Sequence, residues 1–453
     1  MSSLKTNQKN ISKILQSLVI TSDPQYPWTP KMDEPGGSNE SEDEKKRVSE
    51  NLIKEQYNNI NSYIKSNRVC PVLINGDITA FGHPWQRKKM KELLKKIFVR
   101  DFYGLGNHDI ENNYDQCYQN QCTGDSLLDY IYHVDDIPTD FLHSKDITRK
   151  GSGSFVTYSG SFAYSLGFDE IYSIQLNNYP TMEMNFVAGN RTQYKMKSTL
   201  DWLENELKKA TNLGKIIIVN VHKPNDWKGG PSERFKRLLK NYDVKAIFCG
   251  HYHKKVGIQH SYRDYFGDVP VFLSGSASQR SYLILELTAK ELMIYSVRNN
   301  NWKEKKLESR IELNIMPRGT YQIVTALKNK SVVDLKVSNS DVILYNNHYG
   351  DNQRWIFLYN RNKGAYQILS VWNQMLVLAW NDIPGSRDVF ATLNEGKEEH
   401  YWVLEDVGND YYIIKNKKNP NLVLNVEDGK TVPRTNINVH EYNGDKSQKF
   451  RMI

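Results

Sequence analysis

The sequence predicts an α/β fold followed by an all-β barrel built on a threefold repeat. Up to about residue 310, apolar strand-like runs alternate with stretches of helical periodicity. Past about residue 318 those periods vanish, and short strands with Asn, Gly and Asp turns replace them. Within the second region one triplet pattern recurs three times.

The elements follow in order. Ser17–Thr21 is a first apolar strand, and Val48, Leu52, Ile60 and Ile64 recur at the spacing of an amphipathic helix. The run Glu40 to Arg47 reads as a solvated loop entering that helix. Further strands are expected at Val69–Asn75, Ile97–Gly104, Lys215–Val221 and Val244–Cys249. Trp85 to Phe98 reads as a strongly basic helix. Met196 to Leu213 reads as another, with Leu200, Leu203 and Leu207 on one face. Residues 110–195, rich in Gly, Ser, Tyr and Asn, predict long loops and hairpins. Alternating strands and helices imply an α/β core.

In the second region, Tyr321-Gln322-Ile323, Tyr366-Gln367-Ile368 and Tyr412-Ile413-Ile414 open units of about 45 residues. The units close on Gln353-Arg354-Trp355, His400-Tyr401-Trp402 and Gln448-Lys449-Phe450. Equal units of short strands imply a threefold barrel. The expected organisation is one domain over 1–318 and a second over 319–453.

Composition sets the outer limits. A chain of 453 residues exceeds one ordinary core. Mean hydropathy is −0.64, and no run approaches the ~20 apolar residues of a membrane helix. Lys5, Lys9 and Lys13 precede the apolar run Ile14–Ile20, but Gln16 and Ser17 interrupt it and no small-residue cleavage site follows. The expectation is therefore no signal peptide and cytoplasmic synthesis, with release by a signal-independent route. Net charge is +8, nearly all of it before residue 320, which suits anionic substrates as well as ordinary solubility. Cys70 and Cys249 lie in apolar runs and read as buried thiols, while Cys117 and Cys122 share a polar loop and are candidates for a disulfide.

Five short motifs stand where strands end. Asp23-Pro24-Gln25, Gly76-Asp77, Gly106-Asn107-His108-Asp109, His222 and Gly250-His251-Tyr252-His253 each follow an apolar run. In an α/β sheet, ligands bind outside the carboxyl ends of strands. Two neighbouring cations need several N and O ligands and a shared carboxylate, and Asp77 is the natural bridge. His108 is not required as a ligand and is free to protonate a leaving oxygen, with Asp109 beside it to orient the ring or raise its pKa.

This order of motifs resembles the calcineurin-like metallophosphoesterase family over roughly residues 15–300. The resemblance implies a four-layer α/β/β/α sandwich and two metal ions, divalent or trivalent, with Mn, Fe or Zn suited to the mixed donors. It assigns Asp23, Asp77 and His253 to one metal and Asp77, Asn107, His222 and His251 to the other, with His108 as general acid or phosphate-stabilising group. The family usually has Asp-x-His in its first motif, and here Gln25 stands in place of the His. A Gln carbonyl is a weaker, harder ligand, so the first metal binds loosely or Gln25 acts from behind the ligands.

The three repeats resemble the ricin B-type β-trefoil lectins, whose Gln-x-Trp triplet packs each repeat. Sugar binding in that family adds an early Asp, an aromatic platform eight residues before the Gln, and an Asn just before it. The first unit has Asp334, Tyr345, Asn352 and Gln353 at those places. The second has Ala379, Thr392, Glu399 and His400, and no binding is expected there. The third has Asn425, His440, Ser447 and Gln448, which suits a weaker site.

Together the motifs predict a hydrolase of phosphate mono- or diesters targeted to glycans by its trefoil. The alternative is a lectin-type binding protein or toxin component on a weakly active or inert scaffold. Nucleic acid is not expected as a partner, except as a nucleotide substrate, because the basic helix Gln86–Lys96 lacks an aromatic-interleaved groove. Specificity is expected from residues 110–195 and 223–235, with Trp227 and Lys228 as candidate contacts to a leaving group.

Overall fold

A computed structural model describes residues 14–67, 71–152, 155–189, 191–288, 291–313, 319–327, 331–360 and 363–453. Val69, Cys70, the lysines at 5, 9 and 13 and the expected boundary at 318 lie outside them. The chain divides into two compact units, residues 1–211 with 215–314, and residues 212–214 with 315–453.

A smaller four-stranded sheet and two large ones lie in the first unit. One is six-stranded, in the order Lys306–Glu312, Glu291–Val297, Tyr282–Leu287, β1 (Gln16–Thr21), β2 (Val72–Ile74) and β3 (Asp101–Tyr103). The other is seven-stranded and centres on β4 (Ile171–Gln175), β5 (Ile216–Asn220), β6 (Ala246–Cys249) and β7 (Val271–Ser274). β1, β2 and β3 run parallel, as do β4 to β7. Their carboxyl ends therefore gather at one edge of each sheet, where the five motifs begin.

Strand alternation sets the layers. Val19, Val72, Ile74, Tyr282 and Ile284 face α1 (Glu42–Ser66) and α2 (Pro84–Leu94), meeting Ile53, Tyr57, Ile60, Met90 and Leu93. Leu18, Ile20, Leu73, Phe102 and Leu285 turn the other way, into the core shared with the second sheet. α5 (Leu200–Asn212) and α6 (Glu233–Asn241) add Leu203, Leu207, Phe235 and Leu238 to that core. The result is the α/β/β/α sandwich.

Some elements differ from expectation. The basic helix ends at Leu94, and Met196 closes a strand, Thr192–Met196, rather than opening α5. Residues 110–195 include a four-stranded sheet and two helices, α3 (Asn107–Ile110, at its start) and α4 (Gln121–Asp135). Gly124 hides α4 from a propensity reading, yet a Cβ there would meet Ala188 Cβ at 2.4 Å. Cys117 and Cys122 form a disulfide and Cys249 is a buried thiol.

Four charged side chains of α2, Arg87, Lys89, Lys91 and Glu92, are engaged in ion pairs. Arg87 pairs with Asp125 and Asp129 at 2.6 Å, Lys91 with Asp129 at 2.7 Å, and Lys89 with Glu92 at 3.1 Å.

In the second unit thirteen strands form one hydrogen-bonded sheet that closes as the three-unit trefoil. Trp355, Trp402 and Phe450 sit at its centre, fully buried, with Ile323, Ile368 and Ile414 around them. Trp355 and Trp402 donate Nε1–H to the Val333 and Leu378 carbonyls at 3.1 and 2.8 Å, and Phe450 has no such donor.

Candidate metal centre

The strand-end motifs converge. Asp23, Gln25, Asp77 and His251 all take positive φ, at 50°, 39°, 54° and 73°. Such backbone is costly for these residue types and marks turns held by their surroundings. The flanking glycines exist for clearance. A Cβ on Gly106 would lie 2.2 Å from Asp77 Oδ1, and one on Gly250 would lie 2.7 Å from Asp23 Oδ2.

His222 donates Nδ1–H to the Asn75 carbonyl at 2.6 Å. Its Nε2 then faces Asp77 Oδ2 at 3.1 Å and Asn107 Oδ1 at 3.0 Å. The same Asn107 oxygen lies 2.9 Å from His251 Nδ1. His253 turns Nε2 toward Asp23 Oδ1 at 3.4 Å, and the His251 amide donates to Asp23 Oδ2 at 3.1 Å. Ligating atoms of Asp77, His222 and His251 lie within 4.8 Å of one another.

Asp23 Oδ1, Asp77 Oδ2 and Gln25 Oε1 are buried acceptors that receive no neutral hydrogen-bond donor, and Gln25 Nε2 is a buried donor without an acceptor. The groups facing the two carboxylate oxygens are the imidazoles of His253 and His222. Burial would lower the His222 imidazole, but Asp77, Asp23 and the bonds to Asp77 and Asn75 raise it to about 9. Burial is likewise overcome at His253, which Asp23 and Asp33 raise to about 10. Burial and the His222 charge lower His251 to about 3. Despite burial, His222 and His108 hold Asp77 well below the carboxylate range. A divalent cation fits this donor set of imidazole, carboxylate and amide oxygen.

The residues beside the ligands are placed as follows. His108 donates Nδ1–H to the Ala80 carbonyl at 2.6 Å, and its Nε2 stands 3.2 Å from Asn112 Nδ2. Asp109 does not orient it. Successive helical side chains diverge by about 100°, and the Asp109 carboxylate turns instead to the amides of Asp77, Ile78 and Gly106 at 2.8, 3.1 and 2.9 Å. Burial and the nearby Asp77 charge raise Asp109 above the usual carboxylate range. Trp227 does not line the site either. It is 4% exposed, packs on Phe235, Tyr265 and Phe266, and donates Nε1–H to the Lys223 carbonyl at 2.9 Å. Lys228 is exposed.

A pocket of about 330 Å³ opens over the centre, lined by Trp28, Asp33, Asp77, His108, His251, Tyr252, His253, Lys254 and Lys255.

In the trefoil, register confirms which positions correspond. Asp334 pairs across the strand with Ile343, Ala379 with Phe390, and Asn425 with Asn438. Asp334 accepts from Asn352 Nδ2 at 3.0 Å and Gln353 Nε2 at 2.7 Å, with His348 Nε2 at 3.4 Å. Tyr345 stands edge-on to His348, with ring centroids 6.2 Å apart. Gln448 binds only backbone, the Asn443 amide and the Glu441 carbonyl, each at 2.9 Å. Asn425 pairs with Asn438 at 2.9 Å, and His440 Nδ1 faces the Glu441 carbonyl at 3.1 Å. The third unit thus lacks the carboxylate cluster of the first.

The family model for calcineurin-like phosphoesterases matches residues 17–255. The chain belongs to this family. In this calcineurin-like phosphoesterase the α/β domain is followed by a ricin-type trefoil, since the ricin-type beta-trefoil lectin domain-like model matches residues 351–440. The chain is similar to pierisin of Pieris brassicae, 31% identical over 145 residues, which is 30% of this chain and 17% of that protein. It is similar to the main hemagglutinin component type C of Clostridium botulinum C phage, 36% identical over 107 residues, which is 23% of this chain and 37% of that protein. The chain therefore spans well under half the length of these curated relatives. Among solved structures it resembles the Macrolepiota procera ricin B-like lectin in complex with lactose, at 23% identity and a TM-score of 0.26, covering 30% of this chain and 94% of that one. Among the described residues of the phosphoesterase no helix is long and apolar enough to cross a membrane.

Asp33 is a residue of this phosphoesterase site that the sequence reading misses. Its Oδ1 meets His253 Nδ1 at 2.6 Å and accepts from Trp28 Nε1 at 2.8 Å. Its Oδ2 accepts from Gln279 Nε2 at 2.8 Å and Ser278 Oγ at 3.1 Å. Burial would raise this carboxyl, but His253, Trp28 and Gln279 hold it below its ordinary value. His348 is missed in the same way in the trefoil.

Proposed function

We propose that the chain hydrolyses phosphate mono- or diesters at a two-cation centre and is targeted to glycans by its first trefoil unit. The observation that supports the chemistry is a pair of buried carboxylates, Asp23 and Asp77, whose Oδ1 and Oδ2 are faced by the imidazoles of His253 and His222, with Gln25 Oε1 a buried acceptor without a partner. In this reading Asp23, Gln25, Asp77 and His253 hold one cation. Asp77, Asn107, His222 and His251 hold the other, with Mn, Fe or Zn suited to such donors. Bound there, the cations stabilise charge on the phosphoryl oxygens and lower the pKa of a water toward about 7.

The chain's own residues arrange the rest. The Asn75 carbonyl fixes the His222 tautomer, and Asp33 does the same for His253. Asp109 ties the Asp77 turn to the Gly106 turn through backbone amides. His108, anchored through Nδ1, keeps Nε2 to carry a proton to the leaving oxygen. Lys254 and Lys255 at the pocket draw in an anionic ester. In the trefoil, Tyr345 stacks on the apolar face of a sugar while Asp334 and Asn352 take its hydroxyls, with Gln353 bracing the Asp. The third unit, with Asn425, His440 and Gln448, binds more weakly. A glycan-targeted hydrolase acts outside the cell that makes it, and release is part of this proposal.

Hydrolysis of p-nitrophenyl phosphate and bis-p-nitrophenyl phosphate by metal-stripped protein, with and without Mn²⁺, tests the chemistry. Turnover restored by metal and absent from Asp77→Asn is the expected result. Turnover indifferent to both overturns it. Gln25, in place of the family's usual histidine, favours a second reading: a lectin-type binding protein on an inert scaffold. Folded, Mn²⁺-supplied protein without turnover would select that reading.

A further inference from the structure

One cluster of ligating side chains takes no part in the phosphoester centre. His83 precedes α2 and brings Nδ1 to 3.6 Å from Cys117 Sγ and 3.5 Å from Cys122 Sγ. The three donor atoms lie within 4.8 Å of one another. Cys117 and Cys122 are paired here as a disulfide, with Cα atoms 5.2 Å apart.

The scaffold holds these positions by means other than the S–S bond. Gln119 and Asn120 take φ of 49° and 58°, a tight turn that leads into the first turn of α4. Gly82 packs so closely on that turn that a Cβ would lie 2.9 Å from the Cys122 carbonyl oxygen. Gln86 Oε1 accepts from the amides of Phe81 and His83 at 2.9 and 3.3 Å and fixes the approach of His83. Asn113 ties the far side, accepting from Thr123 Oγ1 at 2.8 Å and donating to the Asp109 carbonyl at 2.7 Å. The His83 ring lies parallel to Trp85, with centroids 6.4 Å apart.

We propose that in the reduced chain His83, Cys117 and Cys122 form a second metal site, separate from the phosphoester centre, for a soft divalent cation such as Zn²⁺. The Cys-x₄-Cys spacing with a nearby imidazole is a zinc-type donor set, and three protein ligands leave a fourth position for water. The chemistry balances. A thiol reductant gives two electrons and two protons to the S–S bond, is itself oxidised to its disulfide, and leaves two thiols. Cation binding then releases one proton from each thiol, so two thiolates and a neutral imidazole offset the charge of the ion. Cys122 stands in the first turn of a 15-residue helix, whose N-terminus favours the thiolate. Cys117 and His83 are half-buried and within reach of reductant and ion.

Cobalt reads this site apart from the other. Thiolate ligation gives Co²⁺ an intense near-ultraviolet charge-transfer band, and the phosphoester centre offers only N and O donors. The full chain, reduced with a phosphine and then dialysed, is titrated with Co²⁺ beside the oxidised chain. The band is expected in reduced protein, lost in oxidised protein, lost in Cys117→Ser, and kept in Asp77→Asn. Absence of the band from reduced wild-type protein overturns the proposal, and so does a band that survives Cys117→Ser. The reduced-against-oxidised comparison needs no variant, so misfolding of Cys117→Ser leaves the test intact.

Discussion

The two site regions, one at the sheet edges and one in the first trefoil unit, handle buried carboxylates in opposite ways. At the sheet edges Asp23 Oδ1 and Asp77 Oδ2 receive no neutral donor and face the imidazoles of His253 and His222. In the trefoil, Asp334 is equally buried, at 4% exposure, yet receives Asn352 and Gln353. A buried carboxylate left open to its neighbours calls for a cation. One already satisfied by neutral donors is pre-organised and can share its remaining lone pairs with hydroxyl groups. On the proposed function, the contrast separates a cation site from a sugar site.

The comparison can be broken most directly at Asp77. Asp77→Asn is expected to lower phosphoester turnover by about 10³-fold, the scale of losing a principal electrostatic contact, with sugar binding untouched. Equal loss of both would show that the two regions do not act separately. Asp33→Asn should weaken cation affinity by about 10- to 100-fold, as removal of an orienting carboxylate does. Chelator competition measures this without reference to turnover, and unchanged affinity would reduce Asp33 to a packing role. On the trefoil side, Tyr345→Ala should weaken binding to the glycans that the wild-type chain retains on a glycan array by about 10-fold. Thr392→Ala, at the matching place in the second unit, should change nothing.

The metal-free protein should also report the charge imbalance through pH. His222 and His253 are raised to about 9 and about 10, so the stability they contribute is complete below the unfolded value of 6.5. It is lost as pH rises through 9 to 10. His251, lowered to about 3, acts only below 6.5 and does not offset this loss. The thermal midpoint of stripped protein is expected to fall across that alkaline window, and added Mn²⁺ should flatten the curve. The smallest effect expected is in the barrel centre. Trp402→Phe leaves the Leu378 carbonyl without its donor and should cost about 1–3 kcal/mol by denaturant unfolding. The third unit already has Phe450 at this place.

Much of this is legible in the sequence, for identifiable reasons. Metal chemistry admits few side-chain types, and strand ends with glycine punctuate them, so Asp77, Asn107, His222 and His251 stand out. The trefoil announces itself by repetition. Asp33 does not, because its partner His253 is 220 residues away and it lies outside all five strand-end motifs. Asp109 misleads because adjacency in sequence is divergence on a helix. Trp227 misleads because a tryptophan in a loop can be core. α4 is hidden by Gly124, whose purpose is a contact with Ala188 that only the fold reveals.

The ligands also have a consequence for how the chain acquires its shape. Asp23 receives the His251 amide across 228 residues, and Asn75 receives His222 across 147. Closing such long loops is slow and comes late. The centre is therefore assembled only when both sheets are in place, and on the proposed two-cation reading capture of the ions doubles as a clock for the last step of folding. A refolding chain should acquire tight ion affinity in its slowest phase, and a chain nicked between the sheets should lose it when the pieces separate.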